Sequence, residues 1–206
     1  MCKIIVMANQ KGGVAKTSST RNLAYSLAEL GKKVLAVDFD PQTNLTISFG
    51  VAPAALQETA ASLMMKLVMD EALPEKESCI LNIGKVDLLP SKKTLTVAEV
   101  NLLIERKDDC LAKLLAPLRA DYDYILVDTG PSLGSLTINA FTAADEIIIP
   151  VDPELFALVG LKELTETISK IKQNLNPKVE IIGILFTKCS KRTTLYRQTS
   201  EQVRSV

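Results

Sequence analysis

The chain has 206 residues, 47% hydrophobic and 23% charged, a balance that predicts one globular domain spanning residues 1–206 and excludes a disordered chain. Its 24 basic and 24 acidic residues cancel, so no overall positive charge indicates a nucleic-acid-binding protein, and any such surface has to be local. Histidine is absent and the cysteines form no C-x-x-C pair, which disfavours a metal cluster or a disulfide framework and favours a reduced, cytoplasmic protein. No apolar run reaches membrane-spanning length.

The first motif is a strand, a glycine-containing loop and a helix in succession. Ile4–Ala8 is an apolar run typical of a buried strand, and the loop Asn9–Thr17 follows it directly. Beyond the loop, Leu23, Leu27 and Leu30 recur at helical spacing and are expected to form the apolar face of a helix. In such a unit the free N–H groups of the loop and the first helical turn, together with the helix dipole, favour a bound phosphate.

Four residues of this loop carry the phosphate hypothesis. Gly12 and Gly13 let the backbone approach phosphate oxygens, Lys16 can reach the β and γ phosphates, and the Thr17 hydroxyl can complete a Mg²⁺ shell. The simpler interpretation is a glycine turn that only joins a strand to a helix. The Lys-Thr pair at the end of the loop favours phosphate binding over that interpretation.

Two carboxylates follow the second predicted strand, Val34–Asp38. Asp38 ends the strand and Asp40 lies two residues beyond it, at the carboxyl edge where open α/β sheets bind ligands. This spacing next to a phosphate loop suits the water shell of Mg²⁺ or an attacking water. The alternative is that both are solvated loop charges or a helix cap.

A second strong motif is the apolar strand that ends in Asp128. The run Tyr122–Pro131 has the Walker B arrangement, in which the terminal aspartate holds a Mg²⁺-bound water opposite Thr17. Gly130 and Pro131 then predict a tight turn. Such a strand end is weak evidence alone, and the phosphate loop makes it strong.

The rest of the chain alternates predicted helices and strands, which indicates an α/β fold. A mainly parallel, twisted sheet with helices on both faces would bring the loop and the acidic residues together at the carboxyl ends of its strands. The predicted elements are a helical segment over 53–73, a hairpin of Cys79–Leu81 and Val86–Leu89, two helices within 95–120, a helix over 133–143, a strand over 146–151, a long helix beginning at Asp152, and a buried strand over 179–186.

The last part of the chain is its most basic stretch. From Lys188 to Val206 there are five Lys or Arg residues and one Glu, a net of four positive charges in a neutral chain. Such a stripe can neutralise phosphates without reading bases, which gives non-specific, salt-sensitive DNA binding. Ordinary solvated charge at an exposed helix start explains the composition equally well.

Several segments together resemble the ParA/MinD family of P-loop ATPases. Lys11 precedes two glycines in Lys-Gly-Gly-x-x-Lys-Thr, which is similar to the family's deviant Walker A loop. Ala15 is a departure from that loop, because glycine is more common at this position in the family. Thr129–Gly134 and Ile148–Leu158 also match, so the resemblance runs from Lys3 to the end of the chain. It implies a Rossmann-like, three-layer P-loop NTPase fold. Ala15 is tolerable if its φ is negative and harmful if it is positive.

The resemblance also implies roles for individual residues. Lys11 would cross a dimer interface to the partner's nucleotide, Lys16 would stabilise phosphoryl charge, and Asp40 would orient the hydrolytic water. The residues expected to hold Mg²⁺, partly through water, are Thr17, Asp38 and Asp128. The residues expected to bind the nucleotide are Lys11, Gly12, Gly13, Val14, Ala15, Lys16, Thr17 and Ser18.

Within this family the resemblance implies a ParA/Soj-like chromosome- or plasmid-partitioning ATPase. ATP and Mg²⁺ would close a homodimer that binds DNA non-specifically through Arg192, with Lys191 and Arg197 as further candidates. A ParB-like protein at a centromere-like site would stimulate the slow hydrolysis and reset the dimer. Such a protein would be cytoplasmic and nucleoid-associated, away from the membrane.

Other functions stay open from the sequence. A MinD-like cell-division ATPase would anchor through a C-terminal amphipathic helix, which this sequence does not display but which truncation could hide. An iron-protein-like reductase would need cluster cysteines, and an export tyrosine kinase would carry a terminal tyrosine cluster; the sequence displays neither. A nucleotide-switched DNA-binding regulator with little hydrolysis could use the same site. The sequence stops at Val206 within a predicted helix, where the family continues. Either the chain is truncated, which leaves base recognition and part of the sheet edge incomplete, or its adenine pocket is built differently; an open sheet edge would favour association.

Overall fold

One sheet runs through the centre of the computed structural model, which describes residues 1–154, 157–190, 192 and 194–204. The strands in these residues are β1 (Lys3–Met7), β2 (Val34–Phe39), β3 (Leu81–Ile83), β4 (Val86–Leu89), β5 (Tyr124–Thr129), β6 (Glu146–Val151) and β7 (Glu180–Phe186). They lie in the order β3-β4-β2-β5-β1-β6-β7; the β3–β4 pair is antiparallel and the other pairs are parallel.

Helices connect these strands and cover both faces of the sheet. Those described are α1 (Lys16–Glu29), α2 (Asn44–Ser48), α3 (Ala60–Val68), α4 (Lys76–Cys79), α5 (Leu95–Ile104), α6 (Cys110–Leu115), α7 (Ser135–Ala143), α8 (Ala157–Asn174) and α9 (Thr194–Arg204). Short 3₁₀ turns lie at Pro53–Ala55 and Pro117–Ala120. In the described part of the chain, no helix combines the length and apolarity needed to span a bilayer.

Alternate side chains of the central strands enter two hydrophobic cores. In β1, Ile4 and Val6 belong to the larger core with α3 and α5 to α8, whereas Ile5 belongs to the smaller core with α1 and α2. Because they are covered on both faces, the central strands are almost continuously apolar. The predicted α/β fold, a mainly parallel sheet between two helical layers, is confirmed.

Helix α1 packs on the sheet mainly through small side chains, with two of its leucines at the border of the core. Thr20, Ala24 and Ala28 form its buried stripe, whereas Leu23 and Leu27 are only partly buried and the third leucine of the predicted face is 75% exposed. The predicted leucine face is therefore confirmed for Leu23 and Leu27, which pack against the smaller core, and wrong for Leu30. Small residues let the helix approach the sheet closely, and this packing holds the start of α1 near the ends of β1, β2 and β5.

The two edges of the sheet also differ from the predictions. The hairpin is confirmed but shifted, because Cys79 ends helix α4 and the first strand starts at Leu81. At the other edge, Ile182 and Leu185 of β7 are 49% and 41% exposed, so the prediction of a fully buried strand was wrong. In the described residues β7 pairs with β6 alone, so its outer edge has no pairing strand there.

The remaining elements match the predicted types with different ends. The segment 53–73 contains a 3₁₀ turn and the nine-residue helix α3, which is shorter than predicted. Two helices and a 3₁₀ turn occupy 95–120 as expected. The long helix is confirmed, but its predicted start at Asp152 was wrong, because residues 152–154 are not helical. Helix α8 is described from Ala157 onward, and residues 155 and 156 lie outside the described residues.

Candidate functional site

The parallel pairing of β1, β2 and β5 brings their carboxyl ends side by side. Met7 at the end of β1 pairs with Asp128 of β5, and Asp38 at the end of β2 pairs with the same Asp128 from the other side. The loop between β1 and α1 leaves the sheet at this edge. Sequence-distant acidic residues and the glycine loop therefore share one site, as the strand-end argument predicts.

Lys16 projects back into the loop rather than into solvent. The residue is 7% exposed, and its Nζ donates hydrogen bonds to the carbonyl oxygens of Asn9 (2.9 Å) and Lys11 (3.2 Å). Burial lowers the pKa of Lys16, while the nearby carboxylates of Asp128 and Asp40 oppose that shift. The loop is thus wrapped around an ammonium group that is positioned to receive an anion.

The loop contains two left-handed residues, and one of them carries a methyl group. Gly13 has φ of 75°, which glycine adopts freely, but Ala15 has φ of 64°. Ala15 immediately precedes α1, and its carbonyl oxygen accepts a hydrogen bond from the N–H of Ser19 (2.9 Å). The harmful alternative for Ala15 therefore applies: a left-handed alanine costs about 1–2 kcal/mol relative to its right-handed form.

Thr17 and Asp128 form the centre of the predicted metal site. Thr17 Oγ1 donates a 2.6 Å hydrogen bond to Asp128 Oδ2, and the hydroxyl of Thr20, one turn later, lies 3.4 Å from Asp128 Oδ1. Asp128 is fully buried, and burial raises its pKa to about 7 although the Thr17 hydrogen bond opposes the shift. A buried carboxylate of this kind is poorly compensated until a cation approaches.

These oxygen donors fit Mg²⁺. That ion binds one or two protein groups and completes its octahedron with water and phosphate oxygens. In the described residues, no group of three or more Asp, Glu or Cys side chains could hold a metal by itself. The hydroxyl of Thr17 and the carboxylate of Asp128 therefore suit a Mg²⁺ that shares its ligands with a phosphate chain.

Asp38 is completely buried and bonds to helix α2. Its Oδ2 accepts hydrogen bonds from the N–H (2.7 Å) and the hydroxyl (2.6 Å) of Thr46, and its Oδ1 accepts one from the N–H of Asp40 (3.3 Å). Burial raises the pKa of Asp38 to about 6, and the Thr46 hydrogen bonds oppose the shift. The expected role of Asp38 in supporting the metal remains a prediction. In the structure, its carboxylate also holds helix α2 through Thr46.

Asp40 faces the turn that follows β5. Its Oδ1 accepts a hydrogen bond from the N–H of Gln42 (2.9 Å), and its carbonyl oxygen accepts one from the Ser91 hydroxyl (3.0 Å). A Cβ on Gly130 would lie 3.2 Å from Asp40 Oδ1, so glycine there leaves room for the carboxylate. Asp40 and Pro131 line a cavity of about 460 Å³ together with the loop residues Gly12, Gly13, Ala15, Lys16, Thr17 and Ser18.

Lys11 does not contribute its ammonium to this cavity. Its Nζ forms a 2.5 Å ion pair with Glu154, which follows β6, and its side chain is 42% exposed. The ion pair lowers the pKa of Glu154. The backbone N–H of Lys11 donates to Asn9 Oδ1 (2.9 Å).

The residues predicted to bind DNA are only partly described. Arg192 and Arg197 are exposed, and Lys191 lies outside the described residues. Lys188, which begins the same basic stretch, lies instead beside the phosphate loop and lines the 460 Å³ cavity. Its neighbour Thr187 donates a hydrogen bond from Oγ1 to the buried Val14 carbonyl oxygen (3.0 Å).

The sequence interpretation missed five residues that touch the site. Thr20 could have been found from its position four residues after Lys16, on the same helix face. The others join the site from distant parts of the chain and carry no local signal; they are Thr46, Ser91, Glu154 and Thr187.

Relatives in other organisms match nearly the whole chain. A family model described as an AAA domain matches residues 2–181. The chain is 41% identical over 203 residues to the chromosome partitioning protein ParA of Myxococcus xanthus, covering 98% of the chain and 70% of that protein. It is 38% identical over 205 residues to the sporulation initiation inhibitor protein Soj of Bacillus subtilis, covering 99% and 79%.

The chain is shorter than these relatives. An uncharacterized protein of Mycobacterium tuberculosis is 41% identical over 204 residues, which is 98% of the chain but 63% of that relative. The chain therefore spans less than two thirds of the length of this protein.

Solved structures share the fold over the full chain. Cobyrinic acid a,c-diamide synthase from Mycobacterium smegmatis, with bound ADP and magnesium, has a TM-score of 0.91 at 35% identity, covering 100% of this chain and 82% of that one. A putative plasmid partition protein from Borrelia burgdorferi, bound to AMPPNP, has a TM-score of 0.82 at 30% identity, covering 99% and 83%. With its phosphate loop, its strand-end aspartates and its match to ParA and Soj, the chain belongs to the ParA/Soj-like family of P-loop partitioning proteins.

Proposed function

We propose that this chain binds ATP with Mg²⁺ and hydrolyses the nucleotide as the ATPase of a DNA-partitioning system. The observation that carries the proposal is the preassembled group of Lys16, Thr17 and Asp128 around the left-handed loop. Nucleotides in the Mycobacterium smegmatis and Borrelia burgdorferi structures support the choice of ligand. Relatives such as the Mycobacterium tuberculosis protein are longer than this chain, so we also propose the activity and the partners given below for the whole protein.

In this proposal each residue of the site has one task. The N–H groups of the loop and the Lys16 ammonium bind the phosphates and stabilise the charge that develops on the transferring phosphoryl group. When bound, Mg²⁺ would neutralise phosphate charge, and Thr17 and Asp128 would hold it. Asp40 orients a water for in-line attack on the γ phosphorus. The water oxygen bonds to phosphorus, the bond to the bridging oxygen of ADP breaks, and the water's proton leaves toward Asp40.

Dimerisation is the second part of the proposal. Lys11 is proposed to reach the phosphates of a partner subunit, and this requires its ammonium to leave Glu154. Both side chains of the ion pair are substantially exposed, so solvent screens their attraction and the pair is easily broken. Two protomers would then enclose the nucleotides between them.

The closed dimer is proposed to bind DNA non-specifically and to be reset by a partner. The exposed Arg192 and Arg197, together with Lys191, would neutralise DNA phosphates. A ParB-like, centromere-binding activator would accelerate a slow intrinsic hydrolysis and release the DNA. The protein would therefore occupy the bacterial nucleoid as a nucleotide-timed switch.

Sedimentation of the Asp40→Ala variant with Mg²⁺ and labelled nucleotide tests this function. We expect labelled ATP to sediment with a dimer, labelled ADP to sediment with a monomer, and Lys16→Ala to carry neither. The wild-type chain should release phosphate, and Asp40→Ala should not. An Asp40→Ala chain that binds no label, or a variant that hydrolyses ATP at the wild-type rate, would contradict the proposal.

The same run tests the DNA surface. A short duplex of arbitrary sequence should sediment with the ATP-bound dimer and be lost from the Arg192→Glu, Arg197→Glu double variant. Lys32→Glu with Lys33→Glu is the matched control. Both lysines are exposed, and they precede β2 at the amino-terminal ends of the strands, away from the site. Equal loss in both double variants would remove the assignment to Arg192 and Arg197.

A further inference from the structure

Lys188 lies against the phosphate loop although it is far from that loop in the sequence. Its Nζ lies 3.8 Å from the point that a Cβ on Gly13 would occupy. It also lines the same cavity as Gly12, Lys16 and Thr17. Lys188 is also exposed, so no buried contact has to break before its ammonium binds a ligand in this cavity.

Two hydrogen bonds fix the residue before Lys188, one to β6 and one to the loop. The N–H of Thr187 donates to the carbonyl oxygen of Val151 (2.9 Å), and the Thr187 hydroxyl donates to that of Val14 (3.0 Å). These bonds tie the end of β7 both to β6 and to the loop itself. The backbone origin of the Lys188 side chain is therefore set relative to the site.

The backbone of Lys188 is left-handed, with φ of 52°. Glycine or asparagine adopts this conformation more easily, whereas a lysine in it costs about 1–2 kcal/mol. Residues held in such conformations concentrate at ligand sites, where another interaction compensates for the strain.

The charges around Lys188 identify the kind of ligand. In the described residues no carboxylate lies within 4 Å of the Lys188 ammonium. Glu154, which interacts with Lys188 at longer range, forms its ion pair with Lys11. The side chain of Lys16 is likewise bonded to carbonyl oxygens rather than to a carboxylate. Two ammonium groups that form no direct ion pair, beside the backbone N–H groups of a phosphate-binding loop, suit a polyphosphate.

We propose that Lys188 binds the phosphate chain of the nucleotide held by its own subunit. It would add a second ammonium from the same chain to that of Lys16, on the side of the loop marked by Gly13. This inference rests on the proposed nucleotide binding and is independent of the proposed trans contact of Lys11. It assigns to the first residue of the basic stretch a role different from DNA binding.

Equilibrium binding of Mg²⁺-AMP-PNP, Mg²⁺-ADP and inorganic tripolyphosphate tests the contact. Lys188→Gln should bind AMP-PNP and tripolyphosphate about 5- to 20-fold more weakly, as expected for one partly exposed, charge-assisted contact. ADP, with one phosphate fewer, should lose less. Lys188→Arg should retain most of the affinity. Lys32 is an exposed lysine at the amino-terminal ends of the strands, so Lys32→Gln should match the wild type.

The outcomes separate this inference from the proposed function. A Lys188→Gln chain that binds AMP-PNP as tightly as the wild type overturns the inference and leaves the function standing. An equal loss for ADP and AMP-PNP with none for tripolyphosphate also overturns it, because the side chain would then contact the base or ribose. A wild-type chain that binds none of the three ligands overturns both. Unchanged unfolding midpoints of the variants exclude a folding effect.

Discussion

Alanine at position 15 is the loop residue whose backbone conformation suits its side chain least. Its φ of 64° lies in the left-handed region, where the methyl group crowds the following carbonyl. Ala15→Gly removes that strain but makes the unfolded chain more flexible. We expect a net gain of about 0.5–1 kcal/mol in the free energy of unfolding without nucleotide.

Urea unfolding measures this gain, and Gly31→Ala is its control. Gly31 has φ of 77°, and no atom lies within 4 Å of the position that an alanine methyl group would take there, so only backbone strain should appear, as a loss of about 1 kcal/mol. If Ala15→Gly destabilises the chain as Gly31→Ala does, the left-handed conformation of Ala15 is wrong.

Asp128 makes the stability of the nucleotide-free chain depend on pH. Burial raises its pKa to about 7, so the folded state binds the proton more tightly than the unfolded state does. The free energy of unfolding should therefore fall as pH rises from about 4 to about 7 and then level off. Asp38, whose pKa is raised to about 6, adds to the same trend.

Asp128→Asn tests this pH dependence. The amide cannot ionise, so the variant should exceed the wild type in stability at pH 8 by roughly 1–3 kcal/mol, and the difference should shrink toward pH 5. Urea unfolding at both pH values, without Mg²⁺, gives the comparison. A variant less stable than the wild type at pH 8 would show that Asp128 is stabilised in its charged form.

At the scale of elements, Thr46 connects three parts of the fold. Its hydroxyl donates to Asp38 at the end of β2 (2.6 Å) and accepts from the N–H of Ser91 after β4 (2.9 Å), while Thr46 itself lies on α2. Ser91 in turn donates to the Asp40 carbonyl oxygen. The segment that carries Asp40 is thus held by hydrogen bonds to two other elements.

Thr46→Val should disrupt this connection while keeping the side-chain shape. It leaves Asp38 with one donor fewer and the buried N–H of Ser91 without its partner, which should cost roughly 2–4 kcal/mol. Urea unfolding measures the loss, and Thr46→Ser, which retains the hydroxyl, should recover most of it. A loss below about 1 kcal/mol would mean that these hydrogen bonds contribute little.

At the scale of the whole molecule, the Lys11–Glu154 ion pair opposes the proposed dimer. Glu154→Gln removes the carboxylate that competes for Lys11. In the Asp40→Ala chain with ATP, we therefore expect the dissociation constant of the dimer to fall by up to about fivefold for each of its two Lys11 contacts. Sedimentation over a range of protein concentrations measures the dissociation constant. Glu29→Gln, which removes the exposed carboxylate that pairs with Lys85, is the matched control. A weaker dimer after Glu154→Gln would give Glu154 a positive role in dimerisation.

Local patterns predicted most of the fold and the centre of the site. Asn9–Thr17 combines free N–H groups, glycines and a Lys-Thr pair within a few residues, and the apolar run before Asp128 marks its strand directly. These signals depend on neighbouring residues, so they can be interpreted without knowing the packing. The leucine face predicted for α1 was only partly right. Leu23 and Leu27 pack against the smaller core, whereas Leu30 follows the end of the helix and is exposed, and the fully buried stripe consists of threonine and alanine.

The sequence by itself determined the class of fold, the phosphate loop and the aspartates at the strand ends, because each depends on short-range spacing and on the parallel pairing of strands. Only the tertiary structure decided that Ala15 is left-handed, that Thr46 holds Asp38, that Glu154 holds Lys11, and that Lys188 lies over Gly13. Thr187 and Val14 are 173 positions apart, yet they share a hydrogen bond. Such contacts arise from how the strands are ordered in space, and no local pattern encodes that order.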